Sequence, residues 1–300
     1  MRPMALRMTA ACGLWTLAAA VPESGKDWAL GNIPTIHIGR DLKGEAVQLP
    51  MTGIGTWQYN DTVAEAAVAL ALSLGYTHID TAIGYNNQLG IARALKASPR
   101  PRDSYFLTSK IPGGLDYATA TKTLEQSLEQ LGVAYTDMML VHFPATWGGK
   151  GGKALRQAGW KALEDFYKQG KTRAIGISHF CEAHIADVLE IATVMPAVNQ
   201  VQYHVGMGAP STSGLNMTDM PVPSKPSDQP SYKGITYQSF SPLCGPCGTT
   251  ELIDGPLVTG IGKAHGKSGA QVSLKWQVQR GIPVIPKTHE KEYMLENMDL

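Results

Sequence analysis

Asp80, Tyr85, Lys110 and His142 stand at or just after the ends of short runs that read as buried strands. The runs are Thr77-His78-Ile79-Asp80-Thr81, Tyr105-Phe106-Leu107-Thr108-Ser109-Lys110 and Asp137-Met138-Met139-Leu140-Val141-His142, with Tyr85 on the small-residue loop after the first. These four residue types suit one reaction in particular, proton delivery to a carbonyl oxygen. A tyrosine hydroxyl titrates near about 10, which makes it a weak acid at neutrality. A lysine ammonium beside it favours the phenolate and lowers that value, and an aspartate paired with the lysine keeps the ammonium charged and aimed. A histidine can hydrogen-bond the carbonyl and fix its direction. The set therefore predicts carbonyl reduction, given a hydride donor.

The elements that must position these residues follow from periodicity. Strands are expected over 52–55, 77–81, 105–109, 137–142, 174–178, 197–202, 235–240 and 283–286, and helices over 63–74, 89–96, 117–131, 158–169, 181–191 and 268–280, with another starting near Lys291. Strand followed by helix implies parallel strands joined by right-handed crossovers, and the alternation predicts a closed (β/α)8 TIM barrel, an α/β fold in one domain over 32–300. Before it, 32–50 alternates as a β-hairpin. Residues 203–234 are too rich in Pro, Ser and Gly for an extended helix and predict a long loop.

The segments I-D-T-A-x-x-Y, S-K-I, L-V-H-F-P, A-I-G-I-S-H-F, N-Q-V-Q-Y-H, S-P-L and I-P-K-T run in register over about residues 53–297 and resemble the aldo-keto reductase superfamily. The resemblance implies a barrel plugged by the hairpin, a monomer, and reduction of an aldehyde or ketone by NADP(H), with Tyr85 as acid, Lys110 and Asp80 tuning it, and His142 orienting the substrate. It also implies that Ser178, His179 and Gln200 meet the nicotinamide carboxamide, that Phe240 stacks on the ring, and that Ser241 and Leu243 line the pyrophosphate. Lys287 and Thr288 would hold the 2′-phosphate, Glu296 and Asn297 would contact adenine, and Trp57 and Phe143 would wall the substrate pocket. The chain departs from the family in several places. His179 replaces an asparagine, Phe240 a tyrosine, and Tyr293 the arginine that pairs with the phosphate, with Glu290 nearby, so NAD(H) use is a second expectation. The loop after Tyr85 is shorter and carries Asn87-Gln88 in place of an acid, which predicts a shift of Tyr85. The final substrate-closing loop of relatives has no counterpart before Leu300, an apparent C-terminal truncation.

Composition sets the remaining bounds. A formal net charge of +1 without a long basic run gives nucleic acid nothing to recognise. No GxGxxG follows a strand, so a Rossmann site is not indicated. Arg2 and Arg7 precede an apolar run over 8–20 and no acid occurs before Glu23, so 1–22 reads as a signal or targeting segment for the secretory pathway or an organelle, with a cytoplasmic extension as the alternative. The run is too short to span a membrane, which takes about 20 apolar residues. If it directs secretion, Asn60 and Asn216 become glycosylation candidates. Cys244-Gly245-Pro246-Cys247 has thioredoxin-type spacing, and a dithiol redox protein is one rival function. A thioredoxin pair needs a helix N-terminus, however, and only a weak helix follows here. A disulfide that modulates cofactor binding and inert loop cysteines are the other readings of that pair. The second rival function is a nucleotide-binding regulatory subunit without turnover. No His/Cys spacing resembles a zinc site, and no metal is expected.

Overall fold

Side chains alternate across a strand, so each run expected to be buried must satisfy two different neighbours. In the computed structural model, which describes residues 32–146, 149–206 and 231–300, this alternation builds a barrel. Strands β1 (Thr35–Arg40) and β2 (Ala46–Pro50) form the antiparallel hairpin. The barrel strands are β3 (Ile54–Gly55), β4 (His78–Asp80), β5 (Phe106–Pro112), β6 (Thr136–His142), β7 (Thr172–Ser178) and β8 (Val198–Gln202). After β9 (Ser231–Tyr232), a short antiparallel addition, come β10 (Ile235–Phe240) and β11 (Val284–Ile285). Neighbours run parallel in the order β3-β4-β5-β6-β7-β8-β10-β11. The ring closes where Thr52 bridges Val284 and the Val284 amide donates to the Met51 carbonyl at 2.9 Å.

Helices α1 (Asp61–Leu74), α2 (Gln88–Ala97), α3 (Tyr117–Leu131), α4 (Lys153–Lys168), α5 (Glu182–Leu189), α6 (Glu251–Asp254), α7 (Pro256–His265), α8 (Gly269–Val278) and α9 (Lys291–Met298) complete the described chain. In α1, Asn60 caps the first turn by accepting from the Val63 amide at 2.9 Å, and Gly75 ends the helix at φ 99. Ala64, Ala67, Val68, Ala71 and Leu72 form the buried face between, at helical spacing.

Outward-facing Leu107, Ile111, Met139, Val141, Ile175 and Ile177 pack into the clusters that hold the helices. Inward-facing Phe106, Met138, Leu140, Ala174 and Val198 instead meet Ile38, Val47 and Leu49 of the hairpin. Hence the hairpin plugs the end of the barrel where the strands begin, as expected. The same inward parity carries polar residues near the strand ends, where Pro112, His142, Ser178, Gln200 and Gln238 lie in one row of register.

Three sequence expectations are revised. Strand β5 continues through Ile111 and Pro112, which pair with Val141 and His142, so Lys110 lies inside the strand rather than closing it. Helix α4 starts at Lys153, not 158, because its first turn is tied to α5: Arg156 bonds Asp187 at 2.6 Å and Lys153 bonds Glu190 at 2.7 Å. A full helix, α7, forms at Pro256–His265 despite Gly260 and Gly262. A Cβ at Gly262 would lie 2.3 Å from the Lys267 carbonyl oxygen, so that glycine lets the chain turn closely into α8. The segment 1–22 and residues 207–230 of the 203–234 loop lie outside the described residues. No helix among the described residues is long and apolar enough to cross a membrane.

Two measurements follow from this architecture. Leu49 is fully buried in the plug, so Leu49→Ala should cost about 2–5 kcal/mol in urea unfolding, whereas Leu42→Ala, at the exposed hairpin turn, should stay within about 0.5 kcal/mol. Equal losses would mean the hairpin is not a plug. His78 sits inside the barrel, where its Nε2 bonds Thr108 Oγ1 at 3.0 Å and burial, then the Lys110 charge, push its pKa down to about 3. Unfolded histidine binds its proton below about 6.5. The unfolded state therefore takes up the proton first, and the stability present above that pH is lost as pH falls towards the folded value. We expect His78→Leu to flatten the fall in unfolding free energy by about 1.4 kcal/mol per pH unit in that window. Parallel stability–pH curves for the two proteins would refute the assignment.

Candidate active site

Lys110 organises the strand ends. Its ammonium is fully buried, pairs closely with Asp80 Oδ1, donates to the Thr81 carbonyl at 2.8 Å and lies 3.4 Å from the Tyr85 hydroxyl. An ammonium has three hydrogens, and here each has an oxygen. The other Asp80 oxygen accepts from Gln200 Nε2 at 2.8 Å, and the same nitrogen donates to Gln238 Oε1 at 2.9 Å. A polar chain thus crosses the barrel from Gln238 through Gln200, Asp80 and Lys110 to Tyr85.

Tyr85 ends a 3-10 turn, Ile83–Tyr85, and is half-buried. The buried side chain of Asn87 holds that loop against the exit of β3, donating to the carbonyls of Thr56 at 2.8 Å and Tyr59 at 2.9 Å. Gln88 is buried as well, accepting from Ser109 Oγ at 2.7 Å. The expected shift of Tyr85 is not seen as a loss of reach: the shorter loop still brings the hydroxyl to Lys110.

His142 ends β6 with its ring edge-on to Tyr85, centroids 5.5 Å apart, and Phe143 stacks on it at 4.4 Å. Trp57, Gly84, Tyr85, Pro112, His142, Phe143 and Ala145 line a cleft of about 270 Å³. Left-handed backbone recurs here at non-glycine residues: Gln58, Asn86, Phe143, His179, Ser241 and Cys244 have φ of 66, 56, 81, 63, 47 and 53. Such conformations cost on the order of 1–3 kcal/mol each and persist only where the surroundings enforce them. Phe143 is the least tolerant of these types, and Gly113 lets its carbonyl come close, since a Cβ there would stand 2.0 Å from that oxygen.

Burial, and after it the Asp80 charge, hold the Tyr85 phenol well above its ordinary value of 10.0. This reverses the sequence expectation of a lowered value. Desolvation of the phenol and the nearby Asp80 carboxylate together outweigh the ammonium. Burial likewise pulls Lys110 down and pushes Asp80 up, each opposed by the other's charge. His142 falls well below its usual value through burial, the Lys110 charge and His179. At neutral pH the cleft thus presents a protonated phenol and a neutral imidazole.

The expected cofactor residues occupy neighbouring strand ends. Ser178 closes β7, buried, with its hydroxyl donating to the Gln200 carbonyl at 3.0 Å. His179 follows, 2% exposed, edge-on to Phe143 and 6.0 Å from the Phe240 ring. Neither of its ring nitrogens has a partner among the described residues. Phe240 closes β10, Ser241 turns the chain, and Leu243 packs beside Met51 and Leu274. After β11, Lys287 donates to Gln58 Oε1 at 2.9 Å, and Thr288 Oγ1 accepts from the Glu290 amide at 3.1 Å. On α9, Glu296 accepts from Ser268 Oγ at 2.7 Å, and Asn297 is buried beside Tyr76. Cys244 and Cys247 form a disulfide across a 3-10 turn, Gly245–Cys247, so the pair does not sit at the start of an α-helix as a thioredoxin site would require.

Sequence reasoning missed Gln238 and His78, and met Asn87 only as a departure from the family, not as the anchor of the Tyr85 loop. Two of them carry a readable signal, being polar residues at inward parity in strands, His78 two before Asp80 and Gln238 two before Phe240. Asn87 has none, because its partners lie on a different loop.

The aldo/keto reductase family model matches residues 51–217. The glyoxal reductase of Bacillus subtilis is 34% identical over 256 residues, 85% of this chain and 84% of that one. Among solved structures, an aldo-keto reductase from a deep-sea metagenome library aligns at TM-score 0.73 and 30% identity, covering 86% of this chain and 87% of that one. A Bombyx mori aldo-keto reductase solved in complex with NADP aligns at TM-score 0.71 and 25% identity, covering 89% and 87%. With the barrel, its plug and its strand-end polar chain in place, these matches show that this chain belongs to the aldo/keto reductase family.

Proposed function

We propose that this chain reduces an aldehyde or ketone to the alcohol with NADPH as hydride donor, the proton coming from Tyr85. The observation that carries this reading is the buried Lys110 ammonium, in contact with both Asp80 and the Tyr85 hydroxyl beside a cleft that also holds His142. NADPH, when held at the strand ends, would supply a hydride to the carbonyl carbon, and the residues of the cleft supply the proton that the oxygen then needs. Neutral His142 donates a hydrogen bond to that oxygen without competing as an acid, since its own pKa lies well below the usual value. Tyr85 keeps its proton until an alkoxide develops, because its phenol is held well above 10.0. As the proton leaves, the nearby ammonium offsets the phenolate charge in a site with little water. Tyr85 is only half-buried, so solvent can return the proton.

The chain fits such a cofactor on one observation in particular. His179, buried just after β7 with neither ring nitrogen partnered among the described residues, is a polar group open to a polar ligand. In our reading it holds the carboxamide with Ser178 and Gln200, beside Phe240. Ser241 and Leu243 line the pyrophosphate, while Lys287 and Thr288 hold the 2′-phosphate, with Glu296 and Asn297 at the adenine. Tyr293 is 57% exposed and brings no charge to the phosphate, which narrows the preference for NADP(H) over NAD(H). Trp57 and Phe143 shield the reacting end, and the active form is taken to be a monomer.

The test is loss of NADPH absorbance with a panel of aldehydes, glyoxal first because of the Bacillus subtilis relative. Tyr85→Phe should lower kcat by about 10²–10⁴-fold while NADPH still binds with the parent affinity. A variant that keeps the parent rate would remove Tyr85 from the mechanism. Asn87→Ala, which releases the Tyr85 loop, should lower kcat by about 10²-fold with NADPH affinity retained. An unchanged kcat would mean that other contacts position the tyrosine.

A further inference from the structure

Outside the cleft, the fold brings a histidine to a pair of cysteines that lie far from it in the sequence. His204 follows β8, and Cys244 and Cys247 follow β10, yet their ligand atoms all lie within 4.8 Å of one another. Strands β8 and β10 are hydrogen-bonded neighbours in the barrel, so their exits meet although some forty residues separate them, about the length at which no local motif is legible.

The histidine is oriented for coordination. Its Nδ1 lies 2.9 Å from the Val205 carbonyl oxygen. A carbonyl can only accept, so Nδ1 carries the proton and the lone pair is on Nε2. That nitrogen faces Cys247 Sγ at 3.9 Å. A zinc-binding histidine is held in the same way, its remote N–H donated to a carbonyl or carboxylate. Zinc bonds of about 2.3 Å to sulfur and 2.0 Å to nitrogen at the tetrahedral angle place S and N about 3.5 Å apart, close to the distance here, and the two sulfurs about 3.8 Å apart, so the larger movement is the separation of the sulfurs when the disulfide opens. The sequence expectation of no metal rested on the absence of a histidine near the cysteines in the chain; the fold supplies one from β8, and two residues between cysteines is a spacing that zinc pairs use.

We propose that the reduced Cys244–Cys247 pair and His204 form a three-ligand site for a zinc-class divalent cation, with a fourth position left to water. The disulfide is its oxidised, metal-free form. A dithiol reductant opens it by passing two electrons and two protons to the two sulfurs and becoming a disulfide itself. The cation then takes the thiolates and releases both thiol protons. Cys244 is buried and Cys247 exposed, so the outer sulfur is open to reductant and metal while the inner one anchors the site to the barrel. The ion would fix the turn after Ser241, whose carbonyl already accepts from the Cys244 amide at 2.9 Å. None of this depends on the proposed reductase activity.

Cobalt(II) is the probe. Titrated anaerobically into the reduced, metal-free full chain, it should bind at one equivalent and produce thiolate-to-cobalt charge-transfer absorption with the strong visible bands of a tetrahedral ion. Cys247→Ser and His204→Ala should each weaken binding by more than the 10–100-fold that loss of an outer hydrogen-bond partner costs. Cys181→Ser should leave it unchanged, and oxidation with diamide should abolish it. Cys247 is exposed, so its replacement does not disturb the core. Absence of the charge-transfer band, or its persistence at parent affinity in either ligand variant or after oxidation, would overturn the proposal.

Discussion

The Lys110–Asp80 ion pair is the interaction on which the rest of the site depends. Both groups are removed from water inside the barrel, and removing either alone would strand a buried charge at a cost of about 3–5 kcal/mol. The pair is tolerable because its hydrogen bonding is complete, with Thr81 and Tyr85 on the ammonium and Gln200 on the carboxylate. A well-packed apolar pair of similar volume would hold a barrel as firmly. What an apolar pair could not do is place a cation beside a phenol that burial keeps protonated. The polar chain from Gln238 to Tyr85 is therefore best understood as chemistry embedded in the core.

Around that chain the scaffold divides its labour along each strand. The first inward residues meet the hairpin plug and supply stability, and the last inward residues meet the cleft. The run of left-handed residues at the strand exits belongs to the second group. Phe143 and His179 are among them, and their rings meet edge-on with centroids 5.5 Å apart. The packing below holds these conformations, so strain at one end is supported by burial at the other.

Much of this was legible in the sequence for one physical reason: parallel strands buried on both faces leave β-branched and apolar runs, and polar residues at their ends stand out. Asp80, Tyr85, Lys110 and His142 were found this way, and the structure brings them together. What was not legible depends on partners distant in sequence. The first turn of α4 owes its order to Asp187 and Glu190, and the Tyr85 loop owes its position to Asn87 reaching Thr56 and Tyr59. The direction of the Tyr85 shift was missed as well, because an isolated lysine-tyrosine pair says nothing about how much water the fold removes or how strongly the Asp80 carboxylate acts on the phenol.

The ring closure has a kinetic meaning. Strands β3 and β11 have only two residues each, and the bridge that closes the ring joins Thr52, just before β3, to Val284, across most of the described chain. Contacts of such long range carry a large loop-closure entropy and form after local pairings have reduced it. During synthesis the first barrel strand must wait, with one edge unpaired, until the last emerges from the ribosome. The Lys287–Gln58 hydrogen bond spans that same seam and cannot exist earlier. One wall of the mouth is thus completed only after β11 has been made and has met the first barrel strand.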